Sequence, residues 1–260
     1  MTNIAMLIAC LLGGIVLRKT RRMPDNAHAA LNAFIIHVAL PALILGQLHG
    51  LQLAPDLLLP VLMPWLLFLM STAAFGVLGA ERAGVTAVGI GARAGDREIK
   101  HLLNTTGALI MTAGLANTSF VGLPMIEAFY GTPHLSTGIL IDQFGTYLVL
   151  STLGIMVACT CSSSRASWRE IVRRIATFPP LIALLLAFAL SPVPYPPWLD
   201  GTLARLGMTL APLALVSVGL QLRLDQFRGN VMPLGMGLTF KLVLAPLLIV
   251  LMYVGLLHRD

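Results

Sequence analysis

Long, uninterrupted apolar runs are the feature of this sequence that most restricts its fold. A bilayer core about 30 Å thick needs roughly 20 apolar residues in a helix. Inside that core only helices and closed barrels satisfy their own backbone hydrogen bonds. Because the runs are continuous rather than alternating, they predict helices. The eight predicted segments are residues 3–17, 30–48, 57–79, 104–128, 136–159, 176–191, 203–222 and 231–257.

Composition excludes a soluble domain. Of the 260 residues, 57% are hydrophobic and 11% are charged, whereas soluble domains carry about 25% charged residues. The formal net charge is +6, but the basic residues lie between the apolar runs. They therefore indicate membrane topology and contacts with lipid headgroups, and no nucleic-acid partner is expected.

Lysine and arginine alternate from one connection to the next. They occupy the first, third, fifth and seventh connections, and the sixth has only Arg205. These residues are Arg18, Lys19, Arg21, Arg22, Arg82, Arg93, Arg97, Lys100, Arg165, Arg169, Arg173, Arg174, Arg223 and Arg228. The positive-inside rule then places the odd connections in the cytoplasm and both termini outside. The prediction is a multi-pass protein of the cytoplasmic membrane.

The stretch 114–124 in the fourth segment predicts an interrupted helix. Pro124 lacks a backbone donor and forces Leu123 away from helical dihedrals, and Gly122 tolerates unusual ones. Such a break at mid-depth must line a cavity or be buried in protein. Pro124 would begin a second half-helix, whose positive end favours an anion. The alternative is a proline kink whose small residues serve close packing.

Polar side chains lie where this break would free backbone groups. Asn117, Thr118 and Ser119 are the candidates, and with Gly122 and Pro124 they form the predicted substrate-binding set. The sequence shows no nucleophile with a base and no metal-ligand spacing. An intramembrane enzyme is therefore the less favoured reading, and neither a metal nor another cofactor is expected.

Two ionisable residues fall inside apolar segments. Asp142 lies in segment five, and an isolated carboxylate there must be protonated, paired or facing a cavity. It is either a proton or cation site or a hydrogen-bonded structural carboxyl. Lys241 lies in segment eight, where it neutralises a substrate carboxylate or pairs with Asp142 or a backbone carbonyl. Proton or sodium coupling is left open.

Two segments carry similar motifs. Segment two contains Ala-Leu-Pro-Ala-Leu at 39–43, and segment seven contains Ala-Pro-Leu-Ala-Leu at 211–215. The basic connections orient these two segments in opposite directions. Similar helices of opposite direction are typical of an inverted repeat.

The sequence also resembles the auxin efflux carrier family, which includes plant PIN carriers and bacterial malate and other organic-acid permeases. The resemblance covers about residues 4–257, and the motif from Gly114 to Met125, followed by residues 128–131, is its most specific part. Further similarity lies in residues 31–43 of segment two, 211–222 of segment seven, and Lys241 with Pro246 of segment eight.

The resemblance implies an all-α, inverted-repeat secondary transporter fold with crossing broken helices. Asn117 would contact the substrate and Pro124 would form the crossover. Residues 1–160 would be the first five-helix repeat, 161–175 a cytoplasmic connection and 176–260 a partial second repeat of three helices. The family pattern has ten helices and this chain ends after eight, so the second broken helix has no counterpart.

The expected function is secondary transport of a small organic anion or weak acid without ATP. No nucleotide-binding loop is present, and the cytoplasmic connections are too short for an ATPase domain. The alternative is a truncated member of the same family that does not transport. On that reading, the 260 residues alone are expected to show little transport. A homodimer is left open.

Overall fold

The computed structural model describes residues 2–51, 55–82, 85–86, 89–90, 96–162, 167–222 and 231–257. Four arginines of the predicted cytoplasmic connections, Arg93, Arg165, Arg223 and Arg228, lie outside these ranges. The described residues are predominantly helical, as the apolar runs predict.

The α-helices follow one another along the chain with short connections. They are α1 Thr2–Lys19, α2 Ala27–Phe34, α3 Leu40–Leu48, α4 Leu58–Arg82, α5 Asp96–Gly114, α6 Leu123–Tyr130, α7 Leu135–Leu140, α8 Ile155–Ser162, α9 Trp168–Ala176, α10 Pro179–Ala189, α11 Pro197–Met208, α12 Leu210–Gln221, α13 Val231–Thr239 and α14 Ala245–Leu257. Between α4 and α5, β1 Val85–Thr86 pairs antiparallel with β2 Gly89–Ile90. Single 3-10 turns occupy Pro55–Leu57 and Thr132–His134.

Six predominantly helical stretches among the described residues are long and apolar enough to cross a membrane. They are Ala27–Leu48, Leu58–Gly79, Leu102–Tyr130, Thr132–Cys161, Pro197–Gln221 and Val231–Gly255. A seventh span is obtained if α9 and α10, which meet at 55°, count as one. The eight spans of the sequence prediction are therefore not reached by this criterion.

The shortfall involves the sixth and first predicted segments. The sixth is short because Pro179 and Pro180 open α10 and cannot continue α9, so α10 has 11 residues. The first predicted segment corresponds to α1, which is not among the six.

Wide π-helical turns interrupt several of these spans. Three of them, Ile35–Ala39, Thr118–Gly122 and Phe240–Leu244, end two residues before Pro41, Pro124 and Pro246. In each, the residue just before the proline donates its N–H to the carbonyl five residues back. A proline ring clashes with the carbonyl four residues before it. The wider turn relieves that clash and lets the helix continue.

Two further π turns, Ile141–Tyr147 and Leu150–Gly154, lie in the span that contains Asp142. No proline occurs between residues 134 and 178. These two turns therefore have a different cause from the three that precede prolines.

The chain divides into two compact units. Unit 1 is Met1–Leu58, Asn117–Phe144 and Val172–Leu224, and unit 2 is Leu59–Ala116, Gly145–Ile171 and Asp225–Asp260. The predicted repeats are continuous ranges of the chain, whereas each of these units combines three separate ranges. The repeats therefore stay a prediction. The chain passes from unit 2 to unit 1 between Ala116 and Asn117, within the fourth predicted segment.

In unit 1, α1 packs directly against α12 through two glycines. A Cβ on Gly14 would meet the backbone of Val216, Gly219 and Leu220, and a Cβ on Gly219 would meet the backbone of α1. Small residues that let helix backbones approach are the usual basis of helix pairing in lipid. Elsewhere in the unit, α3 packs against α10 and α11.

In unit 2, an apolar cluster joins α4 and α5 to the helices beside them. Its buried members are Phe68, Phe75, Leu109, Ile110, Ala113, Val149, Phe240 and Ala245. Ser71 is fully buried and donates to the carbonyls of Phe68 at 2.8 Å and Ile110 at 3.2 Å. This cluster fixes the end of α5, where the helix interruption begins.

Candidate substrate and ion site

The fourth predicted segment is interrupted in the middle of its apolar span. Helix α5 ends at Gly114, residues 115–117 are not helical, and the π turn Thr118–Gly122 leads into α6. Asn117 has φ −85° and ψ 75°, outside the helical region. The interruption therefore lies within the predicted stretch 114–124, and the π turn accommodates Pro124 within the helix that follows.

Asn117 closes the start of the new helix as its N-cap. Its side-chain Oδ1 accepts from the backbone N–H of Phe120 at 3.2 Å, which satisfies one donor that has no intrahelical partner. Its backbone carbonyl accepts from Val121 at 3.2 Å and Gly122 at 3.0 Å. The residue itself is exposed. Asn117 therefore holds the turn with its oxygen, and its amide nitrogen is the group left to meet a ligand.

The other predicted substrate residues occupy three different positions. Thr118 and Ser119 begin the π turn and direct their hydroxyls to Asp142. Gly122 ends the turn, and Pro124 is buried as the second residue of α6. Contact of any of these residues with substrate stays a prediction.

Asp142 is buried among hydrogen-bond donors. Its side chain is 2% exposed. The hydroxyl of Thr118 donates to Oδ1. Ser119 Oγ lies 2.7 Å from both carboxylate oxygens, and Gln143 Nε2 donates to Oδ2 at 2.9 Å. All four residues belong to unit 1. The carboxylate thus links the first turn after the interruption to the following span.

Gln143 belongs to this cluster, although it was not among the predicted site residues. Its side chain is fully buried, and its Oε1 has no hydrogen-bond partner among the described residues. The signal available in the sequence was an uncharged amide directly after an acidic residue in an apolar run. That signal is weak, because a glutamine at a helix surface gives the same pattern.

Lys241 is bound to the end of the interrupted helix in unit 2. Its ammonium donates to the backbone carbonyls of Thr112 at 2.9 Å and Leu115 at 2.6 Å. The last carbonyls of a helix lack intrahelical donors and carry the negative end of its dipole. Of the partners that the sequence left open for Lys241, the structure therefore provides backbone carbonyls.

A cavity of about 630 Å³ opens beside Lys241 between α5 and α13. Its polar lining comes from Asn104, Thr105, Thr112 and Lys241. The apolar part of the lining includes Leu109, Leu234 and Leu238.

Among the described residues, no group of three or more histidine, cysteine, aspartate or glutamate side chains is placed to hold a metal ion. The interrupted helix offers the hydroxyls of Thr118 and Ser119 and the amide of Asn117 as hydrogen-bonding groups. The nearby carboxylate in unit 1 is that of Asp142.

Comparisons with known proteins agree with a helical membrane transporter. A family model described as "Membrane transport protein" matches residues 160–258. The chain is similar to an uncharacterized transporter of Methanothermobacter thermautotrophicus, with 28% identity over 251 residues, covering 95% of this chain and 76% of that protein. It is also similar to an uncharacterized transporter of Methanocaldococcus jannaschii, with 31% identity over 121 residues, covering 45% and 38% of the two chains.

The apolar spans define the class as a multi-pass α-helical membrane protein, and the proteins to which the chain is similar are described as membrane transporters. The similarity to one transporter extends over 95% of this chain, and the family model matches residues 160–258 at its C-terminal end.

Proposed function

We propose that this protein is a secondary transporter that moves a small organic anion across the cytoplasmic membrane. The observation that carries the proposal is the interruption at 115–117 inside the apolar span Leu102–Tyr130. Irregular backbone at membrane depth is tolerated where it is buried in protein or lines a water-filled cavity. Interrupted helices with binding groups at the break are a recurring device of secondary transporters.

Two features favour an anion as the substrate. The helix that starts after Asn117 presents first-turn N–H groups, which together with its dipole attract negative charge. Independently, Lys241 places a positive charge beside the cavity between α5 and α13. The ammonium has three N–H donors, and its bonds to Thr112 and Leu115 account for two of them.

The function is tested by counterflow in proteoliposomes that contain the purified protein. Benzoate and benzamide, and succinate and succinamide, are matched pairs that differ in charge but little in shape. We expect saturable exchange of at least one carboxylate and none of its neutral amide. Equal exchange of both members of every pair, or of neither, would contradict the proposal.

The orientation forms part of this proposal, with the odd connections in the cytoplasm and both termini outside. The inverted repeat that relates α3 to α12 also belongs to it. Single cysteines at Arg21 and Arg169 should resist an impermeant maleimide in intact cells, whereas one at Thr132 should react. Labelling of Arg21→Cys from outside would reverse the orientation. The background protein for this test replaces Cys10, Cys159 and Cys161 with serine.

A further inference from the structure

We infer that Asp142, Gln143, Thr118 and Ser119 form a binding site for a single sodium ion. The inference deepens the proposed function, on which it rests for its transport role, but the ion site itself can be tested without any substrate. It concerns unit 1 alone, since all four residues lie there.

Two groups in the cluster lack the partner that their chemistry requires. Asp142 is buried, and among the described residues its hydrogen bonds come from neutral donors only, namely Thr118, Ser119 and Gln143. A buried carboxylate of this kind is costly without a positive charge. The second group is Gln143 Oε1, a fully buried acceptor without a donor among the described residues. Leaving such an acceptor unsatisfied is also costly.

The orientation of the Gln143 amide is set by the carboxylate beside it. Its NH₂ group donates to Asp142 Oδ2 at 2.9 Å. Exchanging its oxygen and nitrogen would place the oxygen against the carboxylate and leave two buried N–H donors unpaired. The unpartnered oxygen is therefore a property of the site and not of the assignment of the amide atoms.

A cation satisfies both groups at once, whereas a proton on Asp142 does so only if a water molecule also bonds to Gln143 Oε1. With a proton on Asp142 and no such water, either Gln143 Oε1 stays unpaired or the amide rotates and leaves its NH₂ unpaired. A water molecule would satisfy the amide oxygen but would leave the carboxylate without a counter-charge. A cation held by Asp142 and Gln143 Oε1 neutralises the first and coordinates the second.

The donor atoms identify the class of cation. The available ligands are carboxylate, amide and hydroxyl oxygens, which hard cations prefer. A hydroxyl has one donor hydrogen and two acceptor lone pairs. Thr118 and Ser119 can therefore keep their bonds to Asp142 and still coordinate the ion. One carboxylate balances a single charge, which favours sodium over calcium or magnesium.

The ion also bears on the substrate. Thr118 and Ser119 hold Asp142 against the first turn of the helix that starts after Asn117. An ionised Asp142 there repels an organic anion, and a bound sodium ion removes the repulsion. By thermodynamic reciprocity, sodium should raise the affinity for the anion, and the anion should raise the affinity for sodium by the same factor.

Sodium binding is measured on the purified protein without organic anion, as the midpoint of thermal unfolding at constant ionic strength. Sodium chloride replaces choline chloride in steps, and potassium chloride serves as a second series. A ligand that binds only the folded protein raises the midpoint with concentration. We expect a saturable rise with sodium and none with potassium at the same concentration.

The variants Asp142→Asn and Gln143→Leu should lose the sodium response or weaken it at least tenfold. Glu127→Gln makes the same carboxylate-to-amide change in the same apolar span as Thr118, outside the cluster, and should keep the response. If Asp142→Asn does not fold, Gln143→Leu and Ser119→Ala carry the test, because they leave the carboxylate in place.

An unfolding midpoint that is independent of sodium in the wild-type protein overturns the inference. So does a midpoint that follows pH through Asp142 but ignores sodium, since the site would then hold a proton. If sodium binds but no organic anion is exchanged, the ion site stands and the proposed substrate fails. If an organic anion is exchanged at the same rate in sodium and choline, and sodium does not bind, the proposed substrate stands and the ion site fails.

Discussion

Gly14→Ala is expected to lower the free energy of unfolding by about 3 kcal/mol, the upper end of what overpacking usually costs. The added Cβ would overlap the carbonyl oxygen of Val216 and lie 3.0 Å from Gly219 Cα and 3.1 Å from Leu220 N. All three are backbone atoms, so no side chain can rotate away. Helices α1 and α12 must move apart, and every contact along their interface weakens.

The neighbouring residue supplies the control. A Cβ on Gly13 would meet nothing within 4 Å, and alanine favours a helix over glycine by about 1 kcal/mol. Gly13→Ala should therefore be neutral or slightly stabilising. Both variants are compared by thermal unfolding in the same detergent, monitored by the loss of the monodisperse peak in size-exclusion chromatography. Equal midpoints for the two variants would show that α1 and α12 are not in close contact.

Asn117→Asp is expected to weaken the binding of the organic anion about 100-fold. Two like charges about 5 Å apart repel by roughly 3 kcal/mol at an effective dielectric constant of 20, and each 1.4 kcal/mol is a factor of ten in affinity. Aspartate is as good an N-cap as asparagine. The start of the helix should therefore keep its geometry, and the loss should come mainly from the added charge, with a smaller part from the lost amide N–H donor.

The control for this charge effect is Asn117→Ser, which also caps a helix and remains neutral. Serine lacks the amide N–H donor, so the affinity for the anion should fall, but by no more than about tenfold, since the loss of one neutral hydrogen bond costs about 0.5–1.5 kcal/mol. Affinities are measured by inhibition of counterflow at saturating sodium, so that any change in the occupancy of Asp142 does not contribute. Similar affinities for Asn117→Asp and Asn117→Ser would place the anion elsewhere.

Much of the membrane-spanning architecture follows from apolar run length. The predicted segment 57–79 corresponds to the span Leu58–Gly79, and the predicted segment 231–257 corresponds to Val231–Gly255. These agree because one quantity, the number of consecutive apolar residues, decides whether a helix reaches across lipid. The segment 176–191 does not meet the same test, since a pair of prolines decides where its helix begins.

The position of the helix interruption depends on a helix cap and on a contact between distant residues, and neither can be read from the lengths of the apolar runs. The sequence predicts an interruption within residues 114–124, with Pro124 in the first turn of the second half-helix, but does not say which residues leave the helix. In the structure the π turn absorbs the proline, and the chain departs from helix at residues 115–117. There Asn117 caps the new helix and Lys241 binds the end of the old one. The second of these contacts joins residues 126 positions apart, so local sequence could not reveal it.

The composition of the Asp142 cluster was predictable only in part. Asp142 stands out in the sequence because a carboxylate in an apolar run is costly unless it is protonated, paired or facing a cavity. Thr118 and Ser119 were selected as substrate residues, and the structure shows that their hydroxyls point to that carboxylate. The packing of the helices decides which of several nearby polar residues form hydrogen bonds with one another, and the sequence alone does not specify that packing.

The π turns before Pro41, Pro124 and Pro246 have a consequence for the helical wheel. Each such turn holds one residue more than an α turn, so every following side chain lies about 100° behind the position that an uninterrupted α-helix would give it. A wheel drawn through the whole of Ala27–Leu48 or Val231–Gly255 therefore assigns the wrong face to residues beyond the turn. Deleting one residue inside such a turn would convert it to an α turn and leave the following side chains on their present face, whereas the same deletion in a regular α turn would rotate them by about 100°.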